Sequence, residues 1–155
     1  MPDGLDWVSF TAQEAYQFGP LPLMVWREAR NQPFDAKLAV AWVARNRVFH
    51  ARWWGWDYPS VILRNYKGVS QFSSFDEDDV QSNLFPKGHE PAFVECLSAA
   101  LNAFKGTMPD PTVGATHYFD NSLDPGPGKS DRRPSWALRG PLVHTVDIGA
   151  FHFFR

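Results

Sequence analysis

The chain of 155 residues contains a single cysteine, Cys96, so no disulfide can form within it and a stapled scaffold is excluded. Apolar runs are short, and none approaches the roughly 18 residues that a membrane-spanning helix needs. A surplus of charge is missing too. Fifteen basic and seventeen acidic residues leave a net charge of −2, which gives no field to attract nucleic acid phosphates. With 44% hydrophobic residues and so little net charge, disorder is excluded as well. The segment Met1 to Trp7 carries acid where a signal peptide would carry Lys or Arg, and no apolar stretch follows it. This predicts synthesis in a cytoplasm without a signal peptide.

Familiar catalytic patterns are also lacking. There is no His-Glu-x-x-His, no Gly-x-Ser-x-Gly and no glycine-rich phosphate loop. The histidines His50, His89, His117, His144 and His152 have no ligand-like spacing, so neither a metal nor an organic cofactor is predicted. The acidic run Asp76 to Asp79 lacks the glycine and alternating ligands of a calcium loop and reads as a solvated turn or helix start. Cys96 falls near an apolar helical stripe, as a buried structural thiol does.

What the sequence has in quantity is aromatic residues: 13 Phe, 7 Trp and 4 Tyr. Without a basic surplus they point weakly to sugar rings, since most aromatics simply fill cores. The length suits one domain with a sizeable core, so residues 1–155 are read as a single unit. Within it, 23–155 carries the motifs below and 1–22 is a helical extension. Thr11 and Glu14 form a capping-box pattern that predicts a helix to about Phe18, stopped by Gly19-Pro20. A second helix is expected from Pro22 to Arg30. A third runs from an Asp35 cap to His50, with Leu38, Ala41, Trp42, Val48 and Phe49 on one stripe. Ser60 is read as the cap of a short helical segment over Val61 to Leu63. A further helix spans Glu90 to Lys105, ended by Gly106. Thr116–Phe119 reads as a strand, 122–135 as a loop, and Val143–Asp147 with Ala150–Phe154 as a hairpin. The expected fold is α+β, mainly helical with a small antiparallel sheet near the C-terminus.

Glu28 stands out near the end of the second helix, beside Trp26. In a partly apolar cleft, loss of hydration would raise its pKa and keep a proton available for general acid catalysis. The run from Glu28 through Ala29, Arg30 and Asn31 to Arg47 and Val48 resembles the opening signature of the SleB/CwlJ-type cell wall hydrolases. Three further blocks agree in order. They are Gln71-Phe72-Ser73; Asp110 to Tyr118; and Pro134-Ser135-Trp136 with Ile148 to Phe154. The resemblance spans residues 23–155. It departs from the family at Asn31-Gln32, where Gly-Glu is frequent, at Asp120, where Asn is usual, and in the inserted loop Asp124–Arg133.

The resemblance implies a lysozyme-like and lytic-transglycosylase-like fold. It also implies peptidoglycan glycan strands as partner, and cleavage of the β-1,4 bond between N-acetylmuramic acid and N-acetylglucosamine. Glu28 matches the family's catalytic glutamate. Gln71, Phe72, Ser73, His117 and Tyr118 match or adjoin positions that hold the glycan. Arg30, Asn46 and Arg47 are expected to be structural, satisfying backbone groups. Because only one carboxylate matches a catalytic position, a lytic transglycosylase giving 1,6-anhydro products is preferred. A hydrolytic muramidase using Asp35, Asp76 or Asp120 stays open, as does a glycan-binding or virion-structural protein without activity. The setting that fits a monomer without a signal peptide is a phage or prophage endolysin released by a holin, or a virion-associated lysin. Trp26, Phe72, Tyr118, Phe119 and Trp136 are the aromatics expected at the cleft, and Trp42, Phe49, Phe93 and Phe104 those expected in the core.

Overall fold

The chain starts helical because its first strong local signal is a complete cap. In the computed structural model, which describes residues 10–66, 69–124 and 126–155, the Thr11 hydroxyl accepts from the Glu14 amide. Glu14 in turn accepts from the Thr11 amide, and helix α1 (Ala12–Phe18) follows. Part of the predicted N-terminal extension, residues 1–9, lies outside the described residues. Gly19 ends α1 and at once begins α2 (Pro20–Ala29), two residues earlier than the sequence suggested. Proline tolerates a first helical turn, so Pro20 opens a helix instead of closing one.

Helix α3 (Phe34–Phe49) is the axis of the molecule. The sequence suggested one apolar stripe, yet α3 buries Ala36, Ala39, Val40, Val43 and Ala44 on several faces. The cause is its neighbours: α2, α4 (Tyr58–Leu63) and α5 (Pro91–Lys105) all pack on it, and the C-terminal sheet adds a further contact. Buried alanines on α3 and α5, including Ala99, Ala100 and Ala103, permit close approach of the helix axes. Lys37 is buried as well, and its ammonium group pairs with Glu95 of α5. Phe49 departs from expectation. It is exposed at the end of α3, while Trp42, Phe93 and Phe104 are half-buried against the core. Arg45 lies over both the Trp42 and Phe49 rings, so its guanidinium shields what the core does not.

Two caps also differ. Pro33, not Asp35, precedes α3, and among the described residues the Asp35 carboxylate accepts only from the adjacent Ala36 amide. Helix α4 is capped by Asp57, with Ser60 completing a reciprocal pair three residues later. Gly106 ends α5 at φ +69°, the left-handed position glycine favours, and Arg45 donates to the last-turn carbonyls of Ala103 and Phe104 there. Cys96 is fully buried, and burial pushes its thiol up to about 11, as suits an inert structural residue.

The smaller layer is built from strands. A two-stranded ribbon pairs β1 (Asn65–Tyr66) with β2 (Val69–Ser70). The C-terminal sheet has the order β3 (His117–Asp120), β5 (Phe151–Phe154), β4 (His144–Ile148), all antiparallel. One short helix, α6 (Ser135–Leu138), interrupts the long loop before β4. Gly149 makes the β4–β5 turn at φ +58°. A Cβ there would lie 2.7 Å from Gln32 Oε1 and 3.1 Å from Ala36, so the turn sits tightly on the start of α3. The architecture is the predicted one: mainly helical, with a small antiparallel sheet at the C-terminal end.

Candidate active site

Where the helical body meets the strand layer there is a cleft of about 600 Å³. Its lining includes all six residues singled out from the sequence: Glu28, Gln71, Phe72, Ser73, His117 and Tyr118. Arg47, Trp53, Asp76 and Trp136 complete its principal walls. The aromatics split unevenly. Phe72, Tyr118 and Trp136 line the cleft, whereas Trp26 and Phe119 are buried and do not. The Trp26 indole instead donates to Glu90 on the far side of α2.

Glu28 is positioned by the last turn of α2. Arg30 Nη1 reaches back to the carbonyls of Trp26 and Arg27 and to the Gln81 side chain, which fixes the end of that helix. The two carboxyl oxygens of Glu28 differ. Oε2 accepts from the Tyr118 hydroxyl at 2.8 Å, while Oε1 is sealed from solvent with no hydrogen-bond partner among the described residues. Burial raises the Glu28 pKa. The nearby Ser74 and the Tyr118 hydroxyl offset part of this, and the charge of Asp79 adds to the rise. The negative end of the α2 dipole acts in the same direction. Loss of hydration is therefore the dominant cause, and it biases the carboxyl group toward its protonated form.

Tyr118 is held in the same way. Burial and the neighbouring Glu28 push its hydroxyl well above the ordinary range, so it stays a donor. Its ring rests against Phe151 and Phe153 of β5. The loop before β3 is tied to α3 by Asn46. That side chain donates to Asp110 and to the Ala115 carbonyl, both at 2.9 Å, while Asp110 accepts from the Thr112 and Gly114 amides. Val113 within this loop has φ +59°, an uncommon value for a β-branched residue, and the Asp110 bonds close the turn around it.

Arg47 does more than the structural task expected of it. Its Nε donates to the Thr116 carbonyl at 2.7 Å, yet it also lines the cleft, and its buried Nη1 has no partner among the described residues. Burial lowers its pKa to about 10, so it remains a cation at neutral pH. His117 shows the opposite balance. Burial, with Arg47 and Arg52 nearby, lowers its pKa to about 4, so the ring facing the cleft is neutral. Arg30 and Asn46 are structural, as expected.

The other wall follows β2. Asp76 Oδ1 accepts from the Ser70 amide, and a 3-10 turn over Ser73–Phe75 presents Ser73. Arg27 anchors this wall from α2. It donates to the carbonyls of Ser74, Ser82 and Leu84, with Phe75 and Phe85 on its guanidinium. The acidic run is thus partly structural: Asp79 caps the next 3-10 turn, and Asp76 belongs to the cleft. Of the second carboxylates considered from the sequence, Asp35 and Asp120 are not part of the cleft lining. Three lining residues, Arg47, Trp53 and Ser70, were not read from the sequence as part of the cleft. Trp53 is exposed and stands edge-on to Trp54, and its only sequence signal is composition.

A mainly helical body with a half-buried carboxyl group of raised pKa facing a glycan-sized cleft defines a glycosidase-like class of site. Residues 31–154 match the family described as Cell Wall Hydrolase, and the chain belongs to that family. With that membership goes an enzyme of cell wall breakdown. Glu28 lies three residues before the matched range. Two solved structures share the fold. One is the catalytic domain of the Bacillus cereus SleB protein, 22% identical with a TM-score of 0.64, covering 95% of this chain and 94% of that one. The other is the catalytic domain of the germination-specific lytic transglycosylase SleB from Bacillus anthracis. It is 22% identical with a TM-score of 0.62, covering 96% and 98%. No curated protein matches the sequence. The SleB/CwlJ-type resemblance read from four motif blocks is borne out.

Proposed function

We propose that this cell wall hydrolase cleaves the β-1,4 bond between N-acetylmuramic acid and N-acetylglucosamine as a lytic transglycosylase, with Glu28 as the single acid and base. The observation that carries this reading is the state of Glu28: half-buried, with a raised pKa, one oxygen held by Tyr118 and the other sealed from solvent without a partner among the described residues. In the first half of the reaction Glu28 gives its proton to the glycosidic oxygen as the bond to C1 of muramic acid breaks. In the second half the C6 hydroxyl of the same sugar bonds to C1 and returns its proton to the Glu28 carboxylate. The sugar supplies its own nucleophile, so one carboxyl group suffices and no water is consumed. Positive charge developing at the ring is met by the oxygen dipoles of Gln71 and Ser73, while Arg47, a cation with a free N–H, suits an anionic or carbonyl oxygen of the substrate. Trp136 and the exposed Trp53 offer flat faces for sugar rings.

One observation favours a second reading. Asp76 lines the same cleft and could activate a water as the second carboxylate of a muramidase. Its Oδ1 is already engaged by the Ser70 amide, which suits a structural post better than a base. The test is lysis of purified cell walls by Glu28→Gln and Asp76→Asn. The transglycosylase reading expects Glu28→Gln to lose at least about a hundredfold in rate. It expects Asp76→Asn to retain most activity. Undiminished lysis by Glu28→Gln would remove the proposed role.

A further inference from the structure

The outer face of the C-terminal sheet holds a cluster that the Glu28 chemistry does not use. The register places His117, Phe154 and His144 in one row across β3, β5 and β4, and Phe119, His152 and Asp147 in the next. Residues three apart on a regular strand point to opposite faces, so His144 and Asp147 should be separated by the sheet. They are not, because β4 has a bulge between His144 and Val146. The extra residue returns His144 to the face of Asp147. His144 Nε2 and His152 Nδ1 then converge on one carboxylate oxygen, Asp147 Oδ1, at 2.6 and 2.8 Å. One potential ligand atom from each of the three residues lies within 4.8 Å of the other two.

The other ring nitrogen of His152 is also placed: Nε2 lies 2.7 Å from Asn121 Oδ1. Two imidazole nitrogens thus meet one carboxylate oxygen, with an oxygen acceptor behind one of the rings. That is the arrangement of a metal-bound histidine, which almost always donates its other N–H to an oxygen acceptor.

We infer that His144, Asp147 and His152 form a binding site for a divalent transition metal of the zinc class, with Asn121 orienting His152. Two imidazoles and a carboxylate suit such an ion better than calcium or magnesium. The metal would join β4 to β5 and, through Asn121, to the end of β3. His152 packs on Phe119 and His144 on Phe154, and both phenylalanines carry Trp136, a wall of the cleft. The site therefore locks the sheet face that seats part of the substrate groove, without touching Glu28.

The test is calorimetric titration of the chelator-treated full chain with ZnCl₂, paired with NMR of the histidine ring nitrogens. The expected result is saturable binding of one equivalent, a higher melting temperature with zinc, and ligation through His152 Nδ1 and His144 Nε2. His152→Ala and Asp147→Ala should weaken binding by more than the roughly tenfold to hundredfold expected for the outer partner variant Asn121→Ala. His89→Ala, on the exposed surface, and Glu28→Gln should bind like the unaltered protein. Absence of saturable binding overturns the inference, as does unchanged affinity in Asp147→Ala. So does a His152 ring that keeps its proton on Nδ1 in the presence of zinc. The NMR arm needs no variant, so it decides the matter even if His152→Ala fails to fold.

Discussion

The two walls of the cleft are built by different means. The floor is helical: Glu28 sits at the end of α2 and Arg47 on α3, inside a core of close-packed alanine, valine and leucine side chains. The rim consists of short strands and 3-10 turns, Ser70 to Asp76 on one side and His117, Tyr118 and Trp136 on the other. Packing fixes the floor. Side-chain bonds to backbone fix the rim, through Arg27 on one side and Asn46 with Asp110 on the other. The difference separates two tasks. The proposed proton donor is held where its surroundings are closely packed, and the groups proposed to face the glycan ride on segments that are tied down at a few points.

The largest expected effect comes from removing the floor's one carboxyl group. Glu28→Gln should fold and yet lose at least about a hundredfold in lysis rate. It should also gain stability in a pH-dependent way. Because burial raises the Glu28 pKa, the native chain holds a proton that the unfolded chain has released, and wild-type stability falls as pH rises through that interval. Glu28→Gln lacks this loss, so it should melt above wild type at neutral pH and converge with it at acid pH. For the same reason kcat/KM of wild type should fall as pH rises through the raised pKa.

Cutting a rim tie should act differently. Arg27→Ala removes bonds to three rim carbonyls, two of them at 2.9 and 3.2 Å, and should cost roughly 2–4 kcal/mol in unfolding free energy. Its activity loss should appear mainly as a higher KM, seen by kinetics on soluble glycan fragments. Were kcat alone to fall, the division between floor and rim would be too sharp. Tyr118→Phe, at the junction of both, removes the hydroxyl donor to Glu28 Oε2 and should lower kcat/KM by about tenfold. It should also move the alkaline fall of kcat/KM to higher pH, since a bond that lowers the Glu28 pKa is lost. The smallest effect is at His117. Its pKa near 4 means that the unfolded chain binds a proton before the native chain does as pH drops below about 6.5. Stability is lost across that window, and His117→Gln should flatten the loss in acid denaturation curves.

The same division explains what could be read from the chain alone. The helices were legible because caps and stops are local: Thr11 with Glu14, and Gly106 after Lys105, announce their roles within four residues. The full burial of α3 was not, because it depends on which elements surround it, and Phe49 is exposed where those neighbours end. The cleft positions of Glu28, Gln71, Ser73 and Tyr118 were legible because these residues stand in short sequence blocks that resemble the family's. The cleft position of Arg47 was hidden by its structural bond to Thr116, and Trp53 carries no pattern beyond being aromatic. The His144–Asp147–His152 cluster could not be read at all, because a bulge of one residue decides which face His144 takes.

The account rests on Glu28 working with a nucleophile that the sugar supplies. Mass analysis of the glycan fragments released from purified peptidoglycan tests this most directly. The predicted products end in 1,6-anhydro-muramic acid and are lighter by one water than the corresponding reducing-end fragments. Products that all carry that water, with no anhydro sugar among them, would contradict the account and assign the second half of the reaction to a hydrolytic carboxylate such as Asp76.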